Sequence, residues 1–397
     1  MRVSTIILLI LLAISVILDI RIQYRLSTRT QDRKSKMNLY LWISSIFNGF
    51  IIAAILIQHR TSSNLLLVMK MWELFAFFSL LIPKIFFVII DIIAGFFRDK
   101  NKTGWGTADK INFGFAIFVF IVLWWSALVT RVSINVVDKQ IPIKELPANF
   151  EGYKIAQISD LHLGSYGTDT AFVSKMVNEI NKLDADLVVF TGDFVNRKAR
   201  EMKAFIPTLE RIKAHDGVIA IMGNHDYGDY VDWGDETKKH ENHLELIGYM
   251  DRIGWTLLKD DTKIIHRDTD SIAIIGVENI GDPPFPSYGS LSEAYPTISD
   301  SVTKILLSHN PAHWVDEICN NDTANIALTL SGHTHAMQIE LFGKSPSAFK
   351  YKTWGGLYTD SLGRHLYVNI GIGTVFIPAR IGATPEITLL TLTRSAR

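Results

Sequence analysis

Hydrophobic and polar positions follow two different patterns along this chain. Up to about residue 130 the apolar positions form long runs: Val3–Ile20, Leu39–Ile57, Trp72–Ile93 and Phe113–Thr130. Each approaches the ~20 residues that a helix needs to cross ~30 Å of hydrocarbon. Residues 1–130 are therefore expected to form a transmembrane region of four helices. The third run contains Glu73, Pro83, Lys84 and Asp91 and extends back to Leu65. It predicts a long helix kinked at Pro83, with a re-entrant or interfacial segment as the alternative. A cleaved signal peptide is disfavoured for the first run, because no small-residue cleavage site precedes the basic stretch and three more apolar runs follow.

From residue 131 onward the apolar runs shorten to strand length and each ends in polar residues. "YKIAQIS" (153–159) leads to "DLHLG", "ADLVVFT" (185–191) to "GDFVN", and "GVIAIM" (217–222) to "GNHD". "TKILLS" (303–308) leads to "HNP" and "NIALTLS" (325–331) to "GHTH". Residues 170–183 and 200–214 carry apolar positions at helical spacing. Alternating strands and helices predict an α/β domain over 131–397 with a layered sheet. Two strand-like runs flanking Asp268-Thr269-Asp270 predict a hairpin.

Composition changes this picture little, and charge adds an orientation. The 40 basic and 40 acidic residues balance, which argues against a nucleic-acid partner. A single cysteine, Cys319, excludes an intrachain disulfide and a cysteine-based zinc cluster. Arg21, Arg25, Arg29, Arg33, Lys34 and Lys36 follow the first run, and Arg98, Lys100, Lys102 and Lys110 follow the third. Only Arg60 and Lys70 follow the second. The first and third loops are then cytoplasmic, and four spans place both termini and the globular half outside the cytoplasm. The spans read as an anchor; Lys84 and Asp91, two helical turns apart, are the one pair that would face a shared polar cavity.

Five times an apolar strand ends at Asp, Asn or His. Ligand sites in open α/β sheets lie beyond the carboxyl ends of strands, so these residues are expected to converge. The candidates are Asp160, His162, Asp193, Asn224, His309, His333 and His335. Oxygen and imidazole donors together suit Mn, Zn or Fe, and seven are too many for one ion. Two ions about 3.5–4 Å apart can bind the attacking and leaving oxygens of a phosphoryl displacement and make hydroxide near neutral pH.

D-x-H at Asp160 and His162, G-D-x-x-N from Gly192, G-N-H-D from Gly223, His309 after a strand, and G-H-x-H from Gly332 occur in that order. The set resembles the calcineurin-like metallophosphoesterase superfamily over about 150–397. The resemblance implies an α/β sandwich of two facing sheets flanked by helices. It implies one metal on Asp160, His162, Asp193 and His335, and a second on Asp193, Asn224, His309 and His333, with Asp193 bridging. His225 would face the phosphate and stabilise the transition state or protonate the leaving oxygen, oriented by Asp226; Asn196 and Asp226 would support the ligands. "QISDLHLG", "SGHTH" and "PARIGATPEITLLTL" resemble the membrane-linked branch, with YkuE-type phosphoesterases, UDP-2,3-diacylglucosamine pyrophosphatases and transmembrane proteins with a metallophosphoesterase domain. Ala336 and Met337 depart from a glycine pair found in many relatives, next to the substrate side.

This reading expects a membrane-anchored phosphodiesterase or pyrophosphatase with a lipid-linked substrate. A phosphomonoesterase or nucleotidase on soluble compounds, a non-catalytic scaffold and a transporter with an appended hydrolase are the alternatives. His240 and His243 read as a solvated helix face, and His215, His266, His313 and His365 as structural or surface residues. "NIGIG" (369–373) reads as a turn, and Arg380 as a phosphate contact or a surface salt bridge. Phe349, Tyr351, Trp354 and Tyr358 are candidates for touching a lipid chain, against a loop packed on its own domain.

Overall fold

The computed structural model describes residues 3–29, 33–56, 63–96, 106–283, 286–295, 302–321 and 325–395. Arg60, Arg98, Lys100 and Lys102, used in the orientation argument, lie outside these residues. The chain forms two units: Met1–Val129 with Phe376–Ala379, and Thr130–Val375 with Arg380–Arg397.

The first unit contains helices α1 (Val3–Arg29), α2 (Arg33–Leu56), α3 (Asn64–Phe96) and α4 (Thr107–Leu128). Three stretches, Thr5–Arg25, Asn64–Phe96 and Thr107–Val132, are long and apolar enough to cross a membrane. Among the described residues the apolar part of α2 is Leu39–Ala53. Helix α3 continues through Pro83. Lys84 and Asp91 take different partners. Lys84 pairs with Asp19 of α1 at 2.8 Å and donates to Ser15 at 3.0 Å and Ser44 at 2.8 Å. Tyr40 and Asn48 of α2 also donate to Asp19. Asp91 instead meets Arg21 at 3.1 Å and Arg25 at 2.8 Å, both on α1. Asp19, Lys84 and Asp91 are buried, so each must find its partner within the protein.

The second unit is built on two six-stranded sheets. The first contains β1 (Asn135–Ile143), β2 (Lys154–Ile158), β3 (Leu187–Thr191), β4 (Val218–Ile221), β5 (Thr256–Leu257) and β12 (Glu386–Arg394), in the order β1-β12-β2-β3-β4-β5. The second contains β6 (Asp261–Arg267), β7 (Asp270–Gly276), β8 (Thr303–Leu307), β9 (Leu328–Ser331), β10 (Gly356–Thr359) and β11 (His365–Val368), in the order β10-β11-β9-β8-β7-β6. Strands β2 to β5 are parallel, as are β7, β8, β9 and β11. The hairpin read around Asp268 is β6–β7.

Side chains alternate along these strands with period two. Leu187 and Val189 of β3 and Ile219 and Ile221 of β4 meet Ile305, Leu307, Leu328 and Leu330 of the other sheet. Val188, Phe190 and Ala220 point outward and pack under α5 (Ala171–Lys182) and α7 (Glu236–Arg252). Both faces are covered, so the strands read as unbroken apolar runs. The expected helix at 200–214 is instead two 3-10 turns and a single-turn helix, α6 (Ile206–Leu209). Pro207 removes a backbone donor there.

Candidate metal centre

The topology puts the carboxyl ends of five strands together. Asp160 and His162 follow β2, Asp193 follows β3 and Asn224 follows β4; His309 follows β8, and His333 and His335 follow β9. The segments are laced by backbone bonds: the Asp160 amide donates to the Gly192 carbonyl at 2.9 Å, and the His162 amide to that of Asp193 at 3.1 Å. The His333 amide donates to Asp160 Oδ2 at 3.0 Å, which joins the two sheets at the site. Asp160, His162, Asp193, His333 and His335 all adopt positive φ, between 45° and 72°. Such conformations cost energy in non-glycine residues and cluster at functional sites. Gly332 is needed for close approach: a β-carbon there would lie 1.9 Å from Ser159 Oγ and 2.4 Å from Asp160 Oδ2.

Two groups of donors form, joined by Asp193. Asp160, His162, Asp193 and His335 are buried and each offers a ligand atom within 4.8 Å of the others. The Nε2 atoms of His162 and His335 face one another at 3.0 Å, and Asp160 Oδ1 is buried with no hydrogen-bond partner. Lone pairs crowded in this way fit a cation between them. On the other side Asp193 Oδ2 lies 3.3 Å from His309 Nε2 and 3.5 Å from His162 Nε2. Asn224 Oδ1 is 3.2 Å from His309 Nε2 and 2.9 Å from His333 Nδ1.

The protonation states of His162 and His333 match a ligand set; burial would lower His309 as well, but the Asp193 carboxylate outweighs it and raises that group to about 9. Burial, then the neighbouring His225, drives His162 well below its ordinary value. Burial and His309 lower His333 to about 3. Both are neutral imidazoles, as ligation demands. Burial alone would raise the Asp193 carboxyl, but His309 and His225 outweigh it and hold the group well below the usual range. The His309 Nδ1–H donates to the Thr191 carbonyl at 2.7 Å, which leaves Nε2 facing the centre.

His225 lies beside both groups. Its Nδ1 is 2.7 Å from the Asn196 carbonyl. Its ring stacks on Tyr230 with centroids 4.1 Å apart. Asp226 does not orient it. That carboxylate accepts from the amides of Asp193 and Phe194 at 2.8 Å, Gly223 at 3.0 Å and Val195 at 3.2 Å. A group encircled by backbone donors belongs to the loop it holds, so the orienting role passes to the Asn196 carbonyl. The Asn196 side chain bonds Ser165.

Arg380 is neither a surface salt bridge nor open to a phosphate, because it is completely buried. Its guanidinium donates to the carbonyls of Ile370, Gly373 and Ala383 and lies 3.2 Å from His335 Nδ1. Residues 369–373 form a turn whose amides reach the carbonyls of Ser159 and Asp160. Two contacts had no sequence signal: Tyr230 accepts from Asn224 Nδ2 at 2.6 Å, and Tyr351 Oη lies 3.0 Å from His333 Nε2 and donates to Asp282 at 2.9 Å. Elsewhere His313 bonds Ser308, and His365 bonds Thr359 and the Pro142 carbonyl. His215 and His266 are exposed, and His240 and His243 lie on α7.

The sequence profile of the calcineurin-like phosphoesterases matches residues 153–337. The chain is 33% identical over 256 residues to the uncharacterized metallophosphoesterase YkuE of Bacillus subtilis, covering 62% of this chain and 81% of that one. It is 30% identical over 265 residues to the transmembrane protein with metallophosphoesterase domain of Danio rerio, covering 65% of this chain and only 57% of that protein. It is 28% identical over 315 residues to the UDP-2,3-diacylglucosamine pyrophosphatase LpxG of Chlamydia trachomatis, covering 66% of this chain and 88% of that one. A centre able to hold two metal ions, set at the strand ends of a two-sheet α/β domain, is what this family uses, and the chain belongs to the calcineurin-like metallophosphoesterases, as a metal-dependent hydrolase.

Proposed function

We propose that the protein is a membrane-anchored dimetal phosphoesterase that hydrolyses a phosphodiester or pyrophosphate bond of a lipid-linked substrate. The observation that carries this reading is the convergence of seven donor side chains from two sheets, with the Asp193 carboxylate between the two groups. One ion would be held by Asp160, His162, Asp193 and His335, the other by Asp193, Asn224, His309 and His333. Bound there, such ions polarise a phosphoryl oxygen and lower the pKa of water. With its Nδ1–H committed to the Asn196 carbonyl, His225 would act through Nε2: that nitrogen takes up a second proton, and the imidazolium passes it to the leaving oxygen. Asp226 holds the Asp193 loop.

Anchoring is supported by the three stretches long enough to span a bilayer. A lipid-linked substrate is supported by the relative named for a diacylated nucleotide pyrophosphate. An outward-facing catalytic domain rests on four spans. If α2 lies at the interface, three spans remain and the side reverses, which a reporter fused after Arg397 decides.

The functional test uses the full chain in detergent with added Mn²⁺. A chromogenic phosphodiester should be cleaved in preference to a phosphomonoester, and Asp193→Asn should abolish turnover. A monoester preference would replace the proposed bond class with the phosphomonoesterase reading, and turnover that survives Asp193→Asn would remove the dimetal reading.

A further inference from the structure

The loop after the last metal-ligand motif is built inside out. In "LFGKSPSAFKYKTW" (341–354), Phe342 and Phe349 are fully exposed, whereas Ser345, Ser347 and Thr353 are buried. The polar residues are anchors. Ser345 Oγ donates to the Ala336 carbonyl and accepts from the Ser347 amide. Ser347 carbonyl in turn accepts from the Tyr351 amide at 2.8 Å. A loop packed on its own domain would bury two phenyl rings before it buried two serines. Here the backbone is pinned by hydrogen bonds and holds the rings outward.

Charge adds a second, independent feature. Lys344, Lys350 and Lys352 alternate with these aromatics, and no acidic residue lies between Leu341 and Thr359. All three lysines are exposed. Apolar rings interleaved with lysines are the chemistry of a surface that meets acyl chains and anionic headgroups together. A groove for another protein would call for a broader apolar surface with a polar rim. The loop is also tied to the metal centre. Two residues beyond Phe349, Tyr351 bonds His333 and Asp282, and Lys350 pairs with the same Asp282 at 3.1 Å.

We propose that residues 341–354 form a membrane-interface loop, in which Phe342 and Phe349 enter the lipid surface and Lys344 and Lys352 meet anionic headgroups, and that Tyr351 fixes this loop at a set position relative to the metal centre. The inference rests on the anchoring half of the proposed function and not on its substrate. A bilayer against this loop would present lipid headgroups beside His333, so that the centre meets a phosphate without the lipid leaving its leaflet.

The test uses the full chain reconstituted in bilayer nanodiscs with Cys319→Ser. A polarity-sensitive label is placed by Phe342→Cys or Phe349→Cys, and at two exposed control sites by Asp184→Cys or Asp268→Cys. Lipids carrying a nitroxide quencher should quench the labels at 342 and 349 at least about twofold more than those at 184 and 268, and more strongly in anionic than in zwitterionic discs. The unmodified chain supplies a second measurement free of any folding defect: photoreactive phospholipid should crosslink to the peptide carrying Phe342 and Phe349. Equal quenching at all four sites, or no crosslink on that peptide, overturns the loop. Label self-quenching that depends on protein concentration overturns it in favour of contact between copies. Failure of the chain to stay in the bilayer after alkaline extraction is a different result, and overturns the anchoring on which the inference stands.

Discussion

Replacing His225 by alanine tests the division of labour in the centre. The Asn196 carbonyl can only accept, so the 2.7 Å contact places one proton on Nδ1, and the proton given to the leaving oxygen is a second one carried on Nε2 of the imidazolium. The ring is held in place by Tyr230, stacked at 4.1 Å, and by the edge of His162 at 4.8 Å. Neither ring nitrogen belongs to the group of converging ligand atoms. His225→Ala should therefore keep both ions and lose only the proton donor. A positioned acid contributes about 10²–10⁴-fold, which is about 3–5 kcal/mol at 1.36 kcal/mol per tenfold. The loss should depend on the leaving group. An alkoxide must be protonated as it departs, whereas a nitrophenolate leaves without help, so nitrophenyl esters should lose about tenfold or less. The assay is kcat for an alkyl and a nitrophenyl phosphodiester, with metal content measured on the same samples. Equal losses on both esters, or metal lost together with activity, would refute the assignment.

Gly332→Ala should lower metal occupancy, because its β-carbon would overlap Ser159 Oγ and Asp160 Oδ2; a variant with full metal content and activity would show that the segment can yield. Tyr351→Phe removes the oxygen that meets His333 Nε2 and should weaken one of two metal-binding steps about 10–100-fold while sparing the other, as read in a stepwise metal titration. Met337 is 58% exposed and sits at φ 46°. Met337→Gly should stabilise by about 0.5–1 kcal/mol, the relief of left-handed strain less the entropy cost of glycine, and a lower thermal midpoint would contradict this. Asp360 supplies an acid-sensitive clamp. Burial opposes its ionisation, but the amides of Arg364 and Asn320 and the Arg364 guanidinium outweigh it and lower its value. A lowered carboxyl stabilises above its unfolded value and loses that contribution as pH falls through the folded one. The gap in thermal midpoint between wild type and Asp360→Asn should thus be constant near neutrality and close below about pH 4; a gap that persists in acid would rule the clamp out.

The parts of the fold legible in the sequence are those whose pattern has one cause. Strands β2, β3, β4, β8 and β9 are covered on both faces, so their apolar runs stand out. Strand β1 is an edge strand with most residues exposed and carries Pro142. Its pattern is that of a loop, and its place comes from pairing in parallel with β12, some 250 residues later. Residues 200–214 show helical spacing, yet Pro207 and the segment's packing beneath α7 give short turns instead. The four helices were legible as apolar runs.

The site was legible for a related reason. A ligand at a strand end needs only its own strand to be recognised, and all seven donors sit at such ends. Their partners are set by tertiary approach, and there sequence distance misleads. Asp226 adjoins His225 in the chain, and adjacency suggested that one orients the other. In the fold the carboxylate turns away and collects four amides, the arrangement that holds Asp193 in its left-handed conformation. Arg380 lies 45 residues from His335 and reaches its Nδ1. The helical unit repeats the lesson: Lys84 and Asp91 share a helix and would be paired by spacing, yet each finds its partner on α1. A buried charge is costly enough to decide which elements must touch, so the partner it selects belongs to the packing between elements and cannot be read from the spacing within one.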